Sequence, residues 1–257
     1  SPDVYPTIPD ADWTVTFDID AGTLADMLAR TVFAAGTEMS KPALIGTYMT
    51  VTGENIVAVG CSGRRFATVK TTAPDDARDM PSIIIPTKAV HQVVKLLGDT
   101  GDAAVSVAAN KWRVSANGAT ITGKVVDYPY LEYQRGFPDD IPHVAYAGRD
   151  ALIGCVRRAL IAGESDKVGV GIRMTFTPGL LTVTGRNPDE EASDEIEIEY
   201  NGPEVVVGLT AAYILDAANN LTGDTVALGI GDDIPVVVFS SPSDDSAVNT
   251  CAKRIVK

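Results

Sequence analysis

Val59-Gly60-Cys61-Ser62-Gly63-Arg64-Arg65-Phe66-Ala67 lies between two strand-like runs, Ile56 to Val59 and Phe66 to Lys70. Two glycines bracket a serine, so a tight turn is expected between the runs. The turn leads straight into two arginines and a phenylalanine. Cation, fork-shaped donor and aromatic surface in one place suit a partner-binding site better than a catalytic one. Taken alone, the stretch also reads as a hairpin turn with solvated arginines.

Upstream, Trp13 to Ile19 alternates apolar and polar residues and reads as a strand. Asp20 or Thr23 then caps a helix, Thr23 to Ala35, with Leu24, Met27, Leu28 and Val32 at helical spacing. Leu44 to Val51 and Ile56 to Val59 are strands joined by a turn at Gly53-Glu54-Asn55. Downstream come an acidic loop (Pro74 to Asp79), a short strand (Ser82 to Ile85) and a second helix, Thr87 to Leu97, opened by Pro86. That helix carries a core stripe (Val90, Val93, Val94, Leu97) and an opposite stripe of Lys88, His91, Gln92 and Lys95. Three more strands follow, with turns at Asn110 and Asn117-Gly118.

An irregular stretch, 127–142, then carries Tyr128, Pro129, Tyr130 and Tyr133. It reads as a linker that packs, because aromatic rings favour burial. After it the pattern restarts. Arg149 to Gly163 and Ala211 to Leu221 are helices, the second capped by Thr210, among further strands and a hairpin at Pro178-Gly179. The last strands precede the C-terminal run Ala247 to Val256. Leu97-Gly98-Asp99-Thr100 matches Thr222-Gly223-Asp224-Thr225, each closing the second helix of its half. The chain is therefore expected to be α+β: two copies of one unit, each with two helices packed on antiparallel sheet. The expected boundaries are an N-terminal segment (1–12), a first unit (13–126), the linker (127–142) and a second unit (143–257).

The 257 residues and 45% hydrophobic content suffice for two packed cores. No apolar run approaches the roughly 20 residues of a membrane span. The polar, Pro-rich start, Ser1 to Pro9, reads as no signal peptide. Cys61, Cys155 and Cys251 are far apart, which fits a reducing cytoplasm, with no disulfide framework and no zinc site. The net charge of −13 is unevenly spread. The four helical segments sum to +3 and everything else to −16. A shared helical face would attract a phosphate backbone that the rest of the surface repels; ordinary solvated helix faces would show the same counts.

No catalytic set stands out. His91 and His143 lack ligand spacing. Gly60-Cys61-Ser62-Gly63 lacks the spacing of a nucleophile elbow. Asp189-Glu190-Glu191 with Asp194 reads as a solvated acidic loop rather than a metal site. No phosphate-binding or dinucleotide fingerprint is present. Enzyme chemistry, metal and cofactor are accordingly not expected.

The chain resembles the bacterial DNA polymerase III beta subunit, the sliding clamp, over the second and third of that family's three domains. The turn Gly60 to Ala67 is similar to its A-T-D-G-H-R-L-A segment, and Leu44-Ile45-Gly46 to its P-x-L-x-G. Val126-Asp127 through Arg135 resembles V-D-G-x-F-P-D-Y-x-R. Asn187 to Ala192 and Gly208 to Asp216 resemble N-P-E-x-E-E-A and G-F-N-x-x-Y-L-x-D. The resemblance implies a non-catalytic processivity factor: a ring around duplex DNA, helices lining the hole and sheets forming the wall. It implies non-specific DNA contact, self-association into the ring, and binding of the polymerase catalytic subunit, the clamp loader and other proteins carrying a clamp-binding motif. A divergent paralogue acting as an interaction module without encircling DNA is the alternative.

By matching position the resemblance implies a partner-peptide pocket of Leu44, Cys61, Gly63, Arg64, Arg65, Phe66, Leu131, Arg135, Gly136, Thr210, Tyr213, Ile234 and Val236, with Cys251, Ala252, Arg254 and Ile255 from the tail. Expected to face DNA are Arg30, Lys41, Lys88, Lys95, Arg149, Arg157 and Arg158, and to lie at a subunit interface Leu160 and Ile161. The sequence departs from the family at Ser62 and Arg64 in the turn, at Tyr130-Leu131 in the linker, and in the basic tail Ala252 to Lys257, which implies an altered peptide preference. With two domains, either the usual ring cannot close or three copies make six domains.

Overall fold

A computed structural model describes residues 12–163, 165–166 and 169–255, for 165–166 the backbone alone. The expected N-terminal segment, except Asp12, and the last two tail residues lie outside the described residues.

The internal repeat is a repeat of structure. The first half runs β1 (Val15–Asp20), α1 (Ala21–Val32), β2 (Gly46–Thr52), β3 (Asn55–Cys61), β4 (Arg65–Thr72), β5 (Ile83–Pro86), α2 (Thr87–Leu97), β6 (Asp102–Val107), β7 (Lys111–Ala116) and β8 (Ala119–Lys124). The second half runs β9 (His143–Gly148), α3 (Arg149–Ala159), β10 (Ser165–Asp166), β11 (Gly169–Thr177), β12 (Leu180–Arg186), β13 (Glu191–Glu199), β14 (Val205–Thr210), α4 (Ala211–Asn219), β15 (Thr225–Ile230), β16 (Val236–Ser241) and β17 (Asp244–Ala252). With the two-residue β10 set aside, the halves agree element for element. Sheet order β1-β6-β7-β8 matches β9-β15-β16-β17, and β5-β2-β3-β4 matches β14-β11-β12-β13.

Local sequence accounts for most of this. In β1, Val15, Phe17 and Ile19 are buried and the residues between them exposed, the two-residue period of a half-buried strand. The Asp20 carboxylate accepts from Thr23 N at 2.7 Å, so α1 starts at Ala21, two residues before the expected Thr23. The Asn117-Gly118 turn has φ of 54° and 72°, the left-handed pair a two-residue hairpin requires. Leu44, expected to open a strand, instead ends a 3-10 turn begun by Pro42. The end of the expected third helix is a 3-10 turn, Leu160–Ala162, and α4 closes two residues early.

Gly60 is a strand residue, not part of the turn as its spacing suggested. A Cβ there would sit 1.9 Å from Thr31 O at the end of α1. Its repeat partner, Gly185 of β12, is equally blocked, 1.9 Å from Ala159 O at the end of α3. In both halves glycine lets a helix terminus rest directly on a strand.

The halves join at one seam. β17 pairs antiparallel with β4, from Ala247↔Val69 to Cys251↔Arg65, so one sheet spans both halves, while β1-β6-β7-β8 is a separate four-stranded sheet. The helices form a layer on one side of the spanning sheet. α1 packs on α2 and α3 on α4, and Arg30 of α1 donates to Asn220 O beyond α4 at 3.1 Å. The linker lies on the opposite face of the sheet. Tyr130 stacks on Tyr48 of β2, with centroids 4.2 Å apart, and Phe137 meets Phe66 edge-on at 6.0 Å. Tyr128 remains exposed, against the expectation for the linker's aromatic rings.

Candidate partner-binding seam and helical face

The turn after β3 opens where the two halves meet. Gly63, at φ +83°, reverses the chain, and its N–H donates to Cys61 Sγ at 3.1 Å. Two cavities flank this turn. One, of about 130 Å³, is lined by Gly36, Thr37, Glu38, Lys41, Leu44, Ser62, Arg64 and Tyr213. The other, of about 430 Å³, is lined by Phe66, Leu131, Glu132, Arg135 and Gly136. Seven residues expected in a pocket therefore line cavities here: Leu44, Arg64 and Tyr213 in the first, and Phe66, Leu131, Arg135 and Gly136 in the second. Gly36, Thr37, Glu38 and Glu132 were not expected. They sit in loops without periodicity, and only the turn chemistry of Gly36 signals them.

Others support these walls without lining them. Cys61 and Cys251 are buried, which pushes their thiols up to about 11 and about 12. Thr210 is buried, and its hydroxyl accepts from Arg254 Nη1 at 3.3 Å. The tail crosses the seam once, where Ala252 N donates to Arg64 O at 2.8 Å, and is held to its own half by Lys253 N donating to Pro235 O at 2.9 Å and Arg254 N to Gly208 O at 2.8 Å. Val236 pairs with Ala252, Ile234 is half-buried nearby, and Ile255 is 91% exposed.

Arg65 is not displayed beside Arg64. It lies on the helical side of β4, opposite in sense to Phe66, because successive strand residues face opposite ways. Its guanidinium donates to Asp216 of α4 and to Phe33 O, and lies over the Tyr213 ring at 4.7 Å and the Phe33 ring at 5.6 Å. It lines a separate cavity with Phe33 and His91. Arg65 therefore clamps α1 of one half to α4 of the other.

The cations expected on the helices divide into two groups. Arg30 is buried and ion-paired to Asp26 at 2.9 Å and Asp244 at 2.8 Å, so its charge is cancelled at the seam. Lys41 is a loop residue paired to Glu38 at 3.0 Å. Arg149 donates to Leu221 O at 3.2 Å, and Arg158 pairs with Asp194 at 2.5 Å. Lys88, Lys95 and Arg157 are exposed, and no carboxylate of the described residues pairs with them. Lys88, His91, Gln92 and Lys95 form the single exposed stripe of α2 that their spacing predicted.

Two similar units joined by a shared strand pair, with helices on one side and sheet on the other, have close counterparts. The profile of the DNA polymerase III beta subunit central domain matches residues 18–131, and that of its C-terminal domain matches residues 134–254. The chain belongs to the DNA polymerase III beta subunit family. A beta sliding clamp of Pseudomonas putida is 26% identical over 255 residues, covering 98% of this chain and 69% of that protein. The sliding clamp of Bartonella birtlesii, solved bound to griselimycin, superposes with a TM-score of 0.92 at 26% identity, over 98% of this chain and 69% of that one. The DNA polymerase III beta subunit of Caulobacter crescentus gives 0.91 at 25% identity, over 100% and 70%.

Within this clamp fold, two edges among the described residues are the repeat counterparts of the seam strands and lack the seam's pairing. They are β8, the repeat partner of β17, and the Glu191–Glu197 stretch of β13, the repeat partner of β4. Beside the second edge, at the end of α3, Ile161 is 80% exposed and Leu160 half-buried. No helix of the described residues is long and apolar enough to cross a membrane. Among them, no group of three or more metal-ligating side chains converges. In the acidic loop, Asn187 Oδ1 accepts from Asp189 N at 2.9 Å and Glu190 N at 2.8 Å, a side-chain-capped turn.

Proposed function

We propose that this clamp-family chain acts as a DNA-encircling processivity factor that tethers polymerase, clamp loader and other motif-bearing proteins through the seam cavities. The observation that carries this is the pair of cavities on either side of the Gly63 turn. Leu44 and Tyr213 offer one apolar anchor site and Phe66 with Leu131 another. Apolar anchor sites with a polar rim suit a short peptide bearing Leu and Phe. The helical layer with Lys88, Lys95 and Arg157 supports the DNA reading, because non-specific contact to phosphates needs exposed cations rather than shaped pockets. The role is tethering, not catalysis, and belongs to the cytoplasm where replication proteins act. The boundaries of the two units and the subunit contact at Leu160 and Ile161 are part of the same proposal.

A fluorescence-anisotropy titration with a synthetic Leu/Phe-anchored peptide tests it. Phe66→Ala and Tyr213→Ala should each weaken binding about tenfold or more, the usual cost of an aromatic anchor. Unchanged affinity in both variants would overturn the pocket assignment.

A further inference from the structure

A further cavity, of about 330 Å³, lies beside the Phe66 cavity. Its floor crosses the seam. Val57 of β3 stands opposite Lys70 of β4, and Thr68 of β4 opposite Val248 of β17. Its wall is the linker, through Tyr133 and Phe137. Phe66, Thr68 and Lys70 alternate along one face of β4, so the Phe66 cavity and this one are neighbours, roughly 7 Å apart per two strand residues. Phe137, edge-on to Phe66 at 6.0 Å, forms the ridge between them.

Lys70 Nζ pairs with Asp245 at 3.2 Å, and Asp139 also lines the cavity, so two carboxylates face one ammonium. The rim is net anionic, and Val57, Val248, Tyr133 and Phe137 give the cavity its apolar surface. β4 is hydrogen-bonded on both edges, to β3 and β17, so a peptide cannot add here as a strand and must be read through its side chains.

We infer that this cavity is an additional subsite for the partner peptide. It takes an apolar side chain about two to four residues beyond the one in the Phe66 cavity. A neighbouring lysine or arginine of the peptide pairs with Asp139 and Asp245. The inference rests on reading the Phe66 cavity as a peptide site. Its occupant is a peptide extension rather than a free small molecule because the cavity adjoins that site across the single ring of Phe137 and its anionic rim offers a partner for a basic side chain of the same peptide.

Isothermal titration of the full chain compares three synthetic peptides: a short Leu/Phe-anchored one, and the same peptide extended by Gly-Trp-Lys at its N-terminus or its C-terminus. One extension should tighten binding about tenfold, the gain of one well-seated aromatic residue. Ser246→Trp, which fills the cavity, and the double variant Asp139→Lys/Asp245→Lys should remove that gain and leave the short peptide's affinity unchanged. Equal affinity of all three peptides, or a gain that survives both variants, overturns the third subsite while the pocket reading stands. If no peptide binds, the pocket reading fails and this inference falls with it.

Discussion

Arg30 and Arg65 spend their charges inside the protein, each holding one half to the other. Arg30 is buried and Arg65 half-buried; carboxylates and carbonyls meet the Nη donors of both, while Arg65 Nε has no hydrogen-bond partner among the described residues. Burial works to raise the Asp244 carboxyl, but hydrogen bonds from Ser246, Thr222 and Arg30 outweigh it and hold it well below the usual carboxylate range. A depressed folded value stabilises the protein above the unfolded value, near 3.9 for Asp, and this is lost as pH falls through the folded one. Asp244→Asn should therefore cost about 2–3 kcal/mol at pH 7 in urea unfolding, a gap that closes in strong acid. A gap constant from neutral to strongly acidic pH would remove Asp244 from the seam's energetics. The thiols give a second residue-scale test. Burial pushes Cys155 and Cys251 up to about 12 and Cys61 to about 11, so iodoacetamide at pH 8 should modify them only after unfolding. Rapid native labelling would contradict the burial. Arg65 also shows what the residues alone could not say: Arg64-Arg65 reads as two displayed cations, and strand alternation sends the second inward.

At the scale of elements, α2 is the cleanest case. Its bounds, core stripe and exposed stripe are legible in the sequence because a surface helix writes its burial at a 3.6-residue period. Lys88→Glu with Lys95→Glu should weaken binding to duplex DNA and lower the salt dependence by about two in log–log slope. An unaltered slope would take α2 away from the DNA. The linker is the opposite case. Its aromatic content predicted packing, but which ring docks depends on Tyr48 waiting on β2. Tyr130→Ala should cost about 3 kcal/mol in thermal unfolding and expose 127–142 to proteases. A variant as resistant as the parent would mean that Tyr133 and Phe137 suffice to hold the linker.

The whole molecule is a repeat in which one joint is made and its counterpart strands are left without that joint. β17 on β4 is the made joint; β8 and the Glu191–Glu197 stretch of β13 are the corresponding edges without it among the described residues. Ile161 matches Phe33 in the repeat. Phe33 is enclosed by Arg65 at the made joint, whereas Ile161 stands exposed beside β13. A ring builds by repeating one joint through heterologous contacts until it closes. Light scattering over a wide concentration range should show self-association, and Ile161→Glu should shift it to monomer. Retention on circular but not linear DNA is then the mark of encirclement. Monomer at every concentration, with equal retention on both DNA forms, would favour the paralogue that binds partners without encircling DNA.

By itself the sequence determined the elements, the two-fold repeat and the family, because helical and strand periods, caps and turn residues act over a few positions. It also singled out the stretch Val59 to Ala67, whose turn lies between two cavities. The tertiary structure decided which cations face outward, since Arg30 and Arg65 are neutralised by Asp244 and Asp216, distant in sequence and close in space. It also decided the cavities. Those lined from both halves exist because β4 pairs with a strand about 180 residues away, and no local pattern encodes the hollow such a pairing leaves.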